Sequence, residues 1–206
     1  MRLILVRHAE SVWNKEGRYQ GLTDIPLSER GRAEARALAE RLRGEKIDAV
    51  YASHLTRARE TAEIIARPHG MEVTVEPGLA EMNFGEWEGL TSAEIIEKFG
   101  EEAFRTWFHD PEQAVIPGGE NFAGFADRIE KAMNSIVARH RDDETLLIVT
   151  HGAALMVYGC RLGREELKCY RRYVHRNAAL SIVEFAGKTM RFEVINDVRH
   201  LENLAP

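Results

Sequence analysis

The chain opens on an uninterrupted apolar run from Leu3 to Val6, and a second such run, Leu146 to Val149, lies far downstream. Short apolar runs without alternation suit strands that are covered on both faces, as in parallel sheets. Between and beyond them the pattern changes to helical spacing. Ser28 stands as an N-cap before a segment in which Ala35, Leu38, Ala39 and Leu42 share one helical face. Ala49 to Ala52 predicts a short second strand. Leu55 to Arg67 predicts a helix stopped by Pro68, whose ring cannot continue the turn, and Val73 to Val75 a third strand. Thr91 and Glu94 have capping-box spacing and open a short helix bearing Ile95 and Phe99. Phe122, Phe125, Ile129, Ala132 and Ile136 mark one face of a longer helix, and Ala153 to Leu162 reads as a helix that follows the second apolar run. Leu180 to Phe185 and Met190 to Ile195 form a late strand pair around a hairpin-like turn at Gly187-Lys188. Strands that alternate with helices predict an α/β fold with a mainly parallel sheet.

No repeat, low-complexity tract or Pro/Gly/Ser linker divides the chain, so residues 1–206 are expected to form one domain. Hydrophobic residues at 44% and charged residues at 30% suffice for a substantial core without staples. The net charge of −5 and a pI near 5.9 argue against a nucleic-acid partner, which favours a basic face. A small anion stays compatible, because a few converging arginines make a positive pocket on an acidic protein. Cys160 and Cys169 have no metal-type spacing and form no disulfide framework, so both are expected as free thiols. No apolar stretch reaches the length of a signal peptide or a membrane span, and a cytoplasmic protein is expected.

Two strands end alike. LILV runs into Arg7-His8, and LLIV runs into Thr150-His151-Gly152. In open parallel sheets ligands bind beyond the carboxyl ends of the strands, so both imidazoles lie on the same edge of the sheet. If the strands are neighbours, the rings converge. A single histidine at a strand end is more often a hydrogen-bonded structural residue; the matched pair raises the case for chemistry.

The stretch LVRHAESVWNKEGRYQGLTDIPLSERG resembles the signature of the histidine phosphatase superfamily, and the likeness continues in SHLTRARETA around Arg57, EMNFGEWEG around Glu81 and IVTHG around His151. These four blocks cover nearly the whole chain in the family's order. Where the family usually has glycine after the signature histidine, this chain has Ala9. The resemblance implies a three-layer α/β/α sandwich and phosphoryl transfer to His8 as nucleophile. The chemistry of that reaction suits the matching residues. Arg7 and Arg57 neutralise the phosphate oxygens with guanidinium forks, and His151 adds a donor. Asn14 offers its amide, the loop with Gln20 and Gly21 offers backbone N–H groups, and Gly152 offers another at a helix start. His8 must attack as neutral imidazole, which nearby positive charge favours. Glu81 matches the family's acid: protonated beside bound phosphate, it gives its proton to the leaving oxygen and then activates water.

The same resemblance leaves two activities to separate. Cofactor-dependent phosphoglycerate mutases of the family carry Glu-Arg-His-Tyr-Gly at the acid motif and a paired-arginine segment after it. Here the motif reads Glu81-Met82-Asn83-Phe84-Gly85, and no arginine pair stands between Gly85 and Asn121. The FGEWEG run instead resembles the phosphatase branch, which includes broad-specificity and α-ribazole phosphatases. A phosphomonoester hydrolase is therefore expected, with the mutase as rival and a catalytically silent phosphate-binding scaffold as a second alternative. The mechanism calls for no metal or other cofactor; no HExxH pair or zinc-finger spacing is present. His54, His69, His109, His140, His175 and His200 are expected on the surface or in structural roles. Residues 86–121 are the expected cap. Trp13, Phe84, Trp87, Trp107 and Phe108 line that cap or pack in the core. The expected partner is a small phosphomonoester, and a homodimer is compatible with the sequence.

Overall fold

The computed structural model describes residues 1–187 and 189–204. Its elements in chain order are β1 (Arg2–Arg7), α1 (Val12–Glu16), α2 (Glu29–Leu42), β2 (Ala49–Ala52), α3 (Thr56–Ala66), β3 (Val73–Val75), α4 (Ser92–Phe99), α5 (Glu101–His109), α6 (Phe122–Val137), β4 (Thr145–Thr150), α7 (Gly152–Gly163), β5 (Leu180–Ala186) and β6 (Thr189–Asp197). Short 3-10 turns fill several connections, among them Gly85–Trp87 and Leu167–Tyr173. The strands make one sheet in the order β3-β2-β4-β1-β5-β6. The β2–β3, β2–β4 and β1–β4 pairings are parallel, whereas β5 and β6 add an antiparallel edge. Lys188, in the expected turn between β5 and β6, lies outside the described residues.

The pleat sorts each strand's side chains between two cores. Leu3, Leu5, Leu146, Ile148 and Val183 face α6 and α7 through Phe125, Ile129, Met133, Leu155 and Val157. Ile4, Val6, Leu147, Val149 and Ile182 face α2 and α3 through Leu38, Leu42, Ala62 and Ile65. Helices on both faces make the three-layer α/β/α arrangement. Both faces are buried, which accounts for the unbroken apolar runs of β1 and β4.

The expected caps form. Ser28 accepts from Gly31 N at 2.9 Å, and Thr91 and Glu94 close the reciprocal capping box of α4. α3 ends at Ala66, one residue earlier than the pattern suggested, and Pro68 sits in a following 3-10 turn, Arg67–His69. Two helices had no clear periodic signal. One is the single turn of α1, held by a Ser11–Asn14 capping box. The other is α5, which follows α4 across Gly100. Among the described residues no helix is long and apolar enough to cross a membrane.

Candidate active site

β1 and β4 are hydrogen-bonded neighbours in parallel register, with Val6 opposite Val149 and Arg7 opposite Thr150. Each strand therefore delivers its histidine at the same level of the sheet edge. The His8 and His151 rings meet edge to face, with centroids 5.2 Å apart. The backbone around His8 is held on every side. His8 N donates to Thr150 O at 2.9 Å, and Ala9 N to Thr61 Oγ1 at 3.1 Å. The His8 carbonyl accepts from Ala178 N at 3.2 Å and from Asn177 Nδ2 at 3.1 Å. Ala178 holds a left-handed φ of 53°, a conformation an alanine keeps only where its surroundings impose it. His8 Nδ1 lies 2.7 Å from its neighbour's carbonyl, Ala9 O. A carbonyl only accepts, so Nδ1 carries the proton and Nε2 keeps its lone pair.

Cations surround this ring. Arg57, in the first turn of α3, is fully buried; its two Nη atoms donate to Thr23 O at 2.9 Å and Gly21 O at 2.6 Å. Arg7 Nη1 donates to His175 O at 2.7 Å. His175 is fixed in turn, as Nδ1–H donates to Tyr173 O and Nε2 accepts from Ser181 Oγ, each at 2.6 Å. Arg7 Nε, Arg57 Nε and both ring nitrogens of His151 are buried without a hydrogen-bond partner among the described residues. Buried polar atoms normally have partners. Four orphans around one imidazole mark a place built for a ligand with several acceptor atoms.

Two amides complete the ring of donors. Asn14 Oδ1 accepts from Ser11 N at 3.1 Å and from Asn177 Nδ2 at 3.0 Å. Gln20 Oε1 accepts from Ser11 Oγ at 2.6 Å. With those oxygens engaged, the NH₂ groups are the donors these two cavity-lining residues have left. The N–H groups of Leu22 and Thr23, which follow Gly21, are engaged by Glu88.

Glu81 enters from the other side. Its Oε1 accepts from Met82 N at 3.0 Å and its Oε2 from Ala153 N, in the first turn of α7, at 3.2 Å. Glu81 is 9% exposed, against 2% for His8 and none for His151. Gly152 opens α7 with its α-carbon against the Arg7 guanidinium, where a Cβ would lie 3.4 Å from Arg7 Cζ. Arg7, His8, Asn14, Gln20, Gly21, Arg57, Glu81 and Gly152 share one cavity of about 300 Å³, and His151 backs it through its contact with His8. A larger hollow, about 920 Å³, lies outside between Glu10, Lys15, Leu27 and Arg32, away from these groups.

Burial, then the charges of Arg57 and Arg7, hold the His8 imidazole well below its ordinary range; burial and Arg57 do the same to His151. Burial lowers His175 to about 4. Burial also lowers Arg57, to about 10, so it stays charged at neutral pH. In the unfolded chain these imidazoles bind protons below about 6.5, whereas in the folded protein they resist to lower pH. The unfolded state then binds more protons, so stability falls as pH drops below 6.5, by up to about 1.4 kcal/mol per pH unit for each imidazole. Urea midpoints are expected to decline steadily from pH 7 to pH 5. A midpoint that stays level over that interval would show that the imidazoles titrate alike in both states.

All nine residues singled out from the sequence thus gather at one edge of the sheet. The sequence reading missed Asn177, Ser11 and Thr61, which orient the others without belonging to any of the four blocks' charged groups. Their one signal is residue type, a short polar side chain beside a functional one. The aromatic set divides. Phe84 lines the cavity; Trp87 and Trp107 are buried in the core; Trp13 packs on Gly89; Phe108 lies half exposed beneath Arg171. Among the described residues no group of three or more His, Cys, Asp or Glu side chains is placed to hold a metal ion.

Residues 3–198 match the histidine phosphatase superfamily (branch 1). Phosphoserine phosphatase 1 of Hydrogenobacter thermophilus is 35% identical over 98% of this chain and 94% of its own. A 2,3-bisphosphoglycerate-dependent phosphoglycerate mutase 2 of Gloeobacter violaceus is 38% identical, over 73% of this chain and 70% of its own. The structure of Bacillus stearothermophilus YhfR superposes with a TM-score of 0.91 at 36% identity, covering 98% of this chain and 99% of that one.

Proposed function

The chain belongs to the histidine phosphatase superfamily, branch 1, and on that premise we propose that it hydrolyses small alkyl phosphomonoesters through a phosphohistidine on His8. One observation carries this reading: a neutral imidazole with a free Nε2 is surrounded by buried, unpartnered nitrogens of Arg7, Arg57 and His151, three of them N–H donors.

In the proposed mechanism the phosphate seats its oxygens on Arg7, Arg57, His151 and the amides of Asn14 and Gln20, and its phosphorus faces His8 Nε2. Nε2 attacks in line. The N–P bond forms as the P–O bond to the leaving group breaks, and Glu81 supplies the proton that the departing alkoxide takes up. Glu81, now a carboxylate, accepts a proton from water as that water's oxygen attacks phosphorus. The N–P bond breaks, and orthophosphate leaves with His8 restored. Gly152 N–H, at the start of α7, adds a donor at the positive end of the helix.

The cavity wall and the residues that follow Glu81 favour hydrolysis over mutase chemistry. Met82 is buried and Phe84 is apolar, while Asn83 is tied to Gly85 N and Gly118 O. The remaining cation on the cavity, Arg18, is paired with Glu16 and Glu94. No unpaired positive group among the described residues of this wall waits for the carboxylate of a phosphoglycerate. The cavity's size suits a leaving group as small as serine, the substrate in the name of the Hydrogenobacter relative. We assign residues 86–121 as the cap, because Tyr19, Phe84, Trp87 and Trp107 stack edge to face where α5 meets the cavity wall. The free thiols Cys160 and Cys169 fit a cytoplasmic enzyme.

The test is release of orthophosphate from phosphoserine and other small phosphomonoesters in chelator, beside isomerisation of 3-phosphoglycerate primed with 2,3-bisphosphoglycerate. Fast isomerisation with little free phosphate would make the chain a mutase. Glu81→Gln is expected to lower kcat about 100-fold or more on alkyl phosphates and far less on aryl phosphates, whose leaving groups need no proton. Equal losses on both series would remove Glu81 from the acid role.

A further inference from the structure

Glu88 lies seven residues beyond the proposed acid and carries no part of the chemistry above. Its carboxylate is nonetheless the most heavily used acceptor near the site. Oε1 accepts from Leu22 N at 2.9 Å and Phe84 N at 3.0 Å; Oε2 accepts from Thr23 N at 2.9 Å and from Thr23 Oγ1. Four donors on two oxygens call for an ionised carboxylate, which has only acceptor sites. Three of the four come from Leu22 and Thr23, in the loop whose carbonyls grip Arg57. Gly21 O and Thr23 O are the acceptors of the two Arg57 Nη atoms, and Gly21 has a left-handed φ of 54° with Glu88 packed where a Cβ would go, 1.9 Å from Oε1. The two grips alternate along the chain. Arg57 takes the carbonyls of residues 21 and 23, and Glu88 takes the N–H groups of residues 22 and 23.

We propose that Glu88 is a positioning residue for the phosphate site, acting through the Gly21–Thr23 loop to aim the Arg57 guanidinium. The inference rests on the phosphatase reading. A guanidinium fixed at both Nη atoms presents its Nε in one direction only, and Nε is the atom left without a partner. Glu88 fixes the two carbonyls that fix Arg57. Through Phe84 N it also ties the acid loop to the same anchor, so both halves of the site share one fixed point.

Glu88→Gln keeps the shape but offers an NH₂ group to two of the donors. The expected result is a weakening of orthophosphate's competitive Ki by 10-fold or more, with kcat/KM falling by a similar factor on aryl and alkyl phosphates alike. In an Arg57→Lys background the same substitution is expected to add less than threefold. A merely structural Glu88 predicts a lower Tm with an unchanged Ki in the folded fraction. A Ki within threefold of wild type, or an equal loss in the Arg57→Lys background, overturns the proposal. Should E88Q not accumulate as folded protein, Glu88→Asp carries the same measurements, since it keeps the charge and withdraws the oxygens by one methylene. Turnover and phosphate inhibition of the wild-type chain report on the phosphatase reading; the ratio of variant to wild type reports on Glu88.

Discussion

His8→Ala is expected to lower kcat by on the order of 10⁴-fold or more and to abolish acid-labile phosphate on the protein. The geometry makes this the most damaging single change. The His8 ring is the group whose Nε2 is left with a lone pair at the centre of the donor cluster, because its Nδ1 is committed to Ala9 O. His151 meets the His8 ring edge to face, and in the proposed mechanism it donates to the anion and does not attack it. The fold has little stake in the ring itself. The four hydrogen bonds that pin this residue and its neighbour use backbone atoms, which alanine retains. The variant should therefore fold, bind orthophosphate and fail to turn over. Rapid quench with labelled substrate separates the outcomes. Phosphate still trapped on the variant would place the nucleophile elsewhere, with His151 the next candidate.

Arg57→Lys is expected to cost roughly 100- to 1,000-fold in kcat/KM although the charge is kept. Arg57 makes two directed bonds to carbonyls and keeps its buried Nε without a partner, the donor assigned to the anion in the proposed mechanism. A lysine ammonium is a point charge on a flexible stem and cannot span Gly21 O and Thr23 O while also meeting phosphate. The loss should fall on KM and Ki for phosphate as well as on kcat, and added guanidinium should restore part of it in an Arg57→Ala chain. A loss below threefold would mean that Arg57 serves the loop and not the anion.

Much of this arrangement was legible in the residues because the signals are local. An apolar run that ends in histidine is readable wherever it occurs, and two of them announced a shared edge. Ser28, Thr91 and Glu94 announced helix starts because a cap acts over three residues. What stayed hidden depends on partners far away in sequence. Nothing near Asn177 tells that its amide will reach both Asn14 Oδ1 and the His8 carbonyl. Glu88 stands beside Glu86 in the sequence, yet Glu86 pairs with Lys98 at the surface and Glu88 turns inward to the Gly21–Thr23 loop. α5 also escaped notice, since its buried contact rests on Trp107 and the packing of the aromatic cluster supplies what periodicity lacks. The pairing of β1 with β4 was a condition in the sequence and becomes a fact only in the sheet.

The strand order has a consequence for how the molecule is assembled. β4 slots between β1 and β2, so the two earliest strands have no direct hydrogen bonds to each other and wait for a segment made much later. Contacts between residues so distant along a chain form slowly. During renaturation, helical signal should return first, from α2, α3 and α6, while enzymatic activity lags until the central strand has wedged itself home. Recovered turnover is thus a clock for the final step of folding, and a chain halted before that insertion would be helical, collapsed and inert.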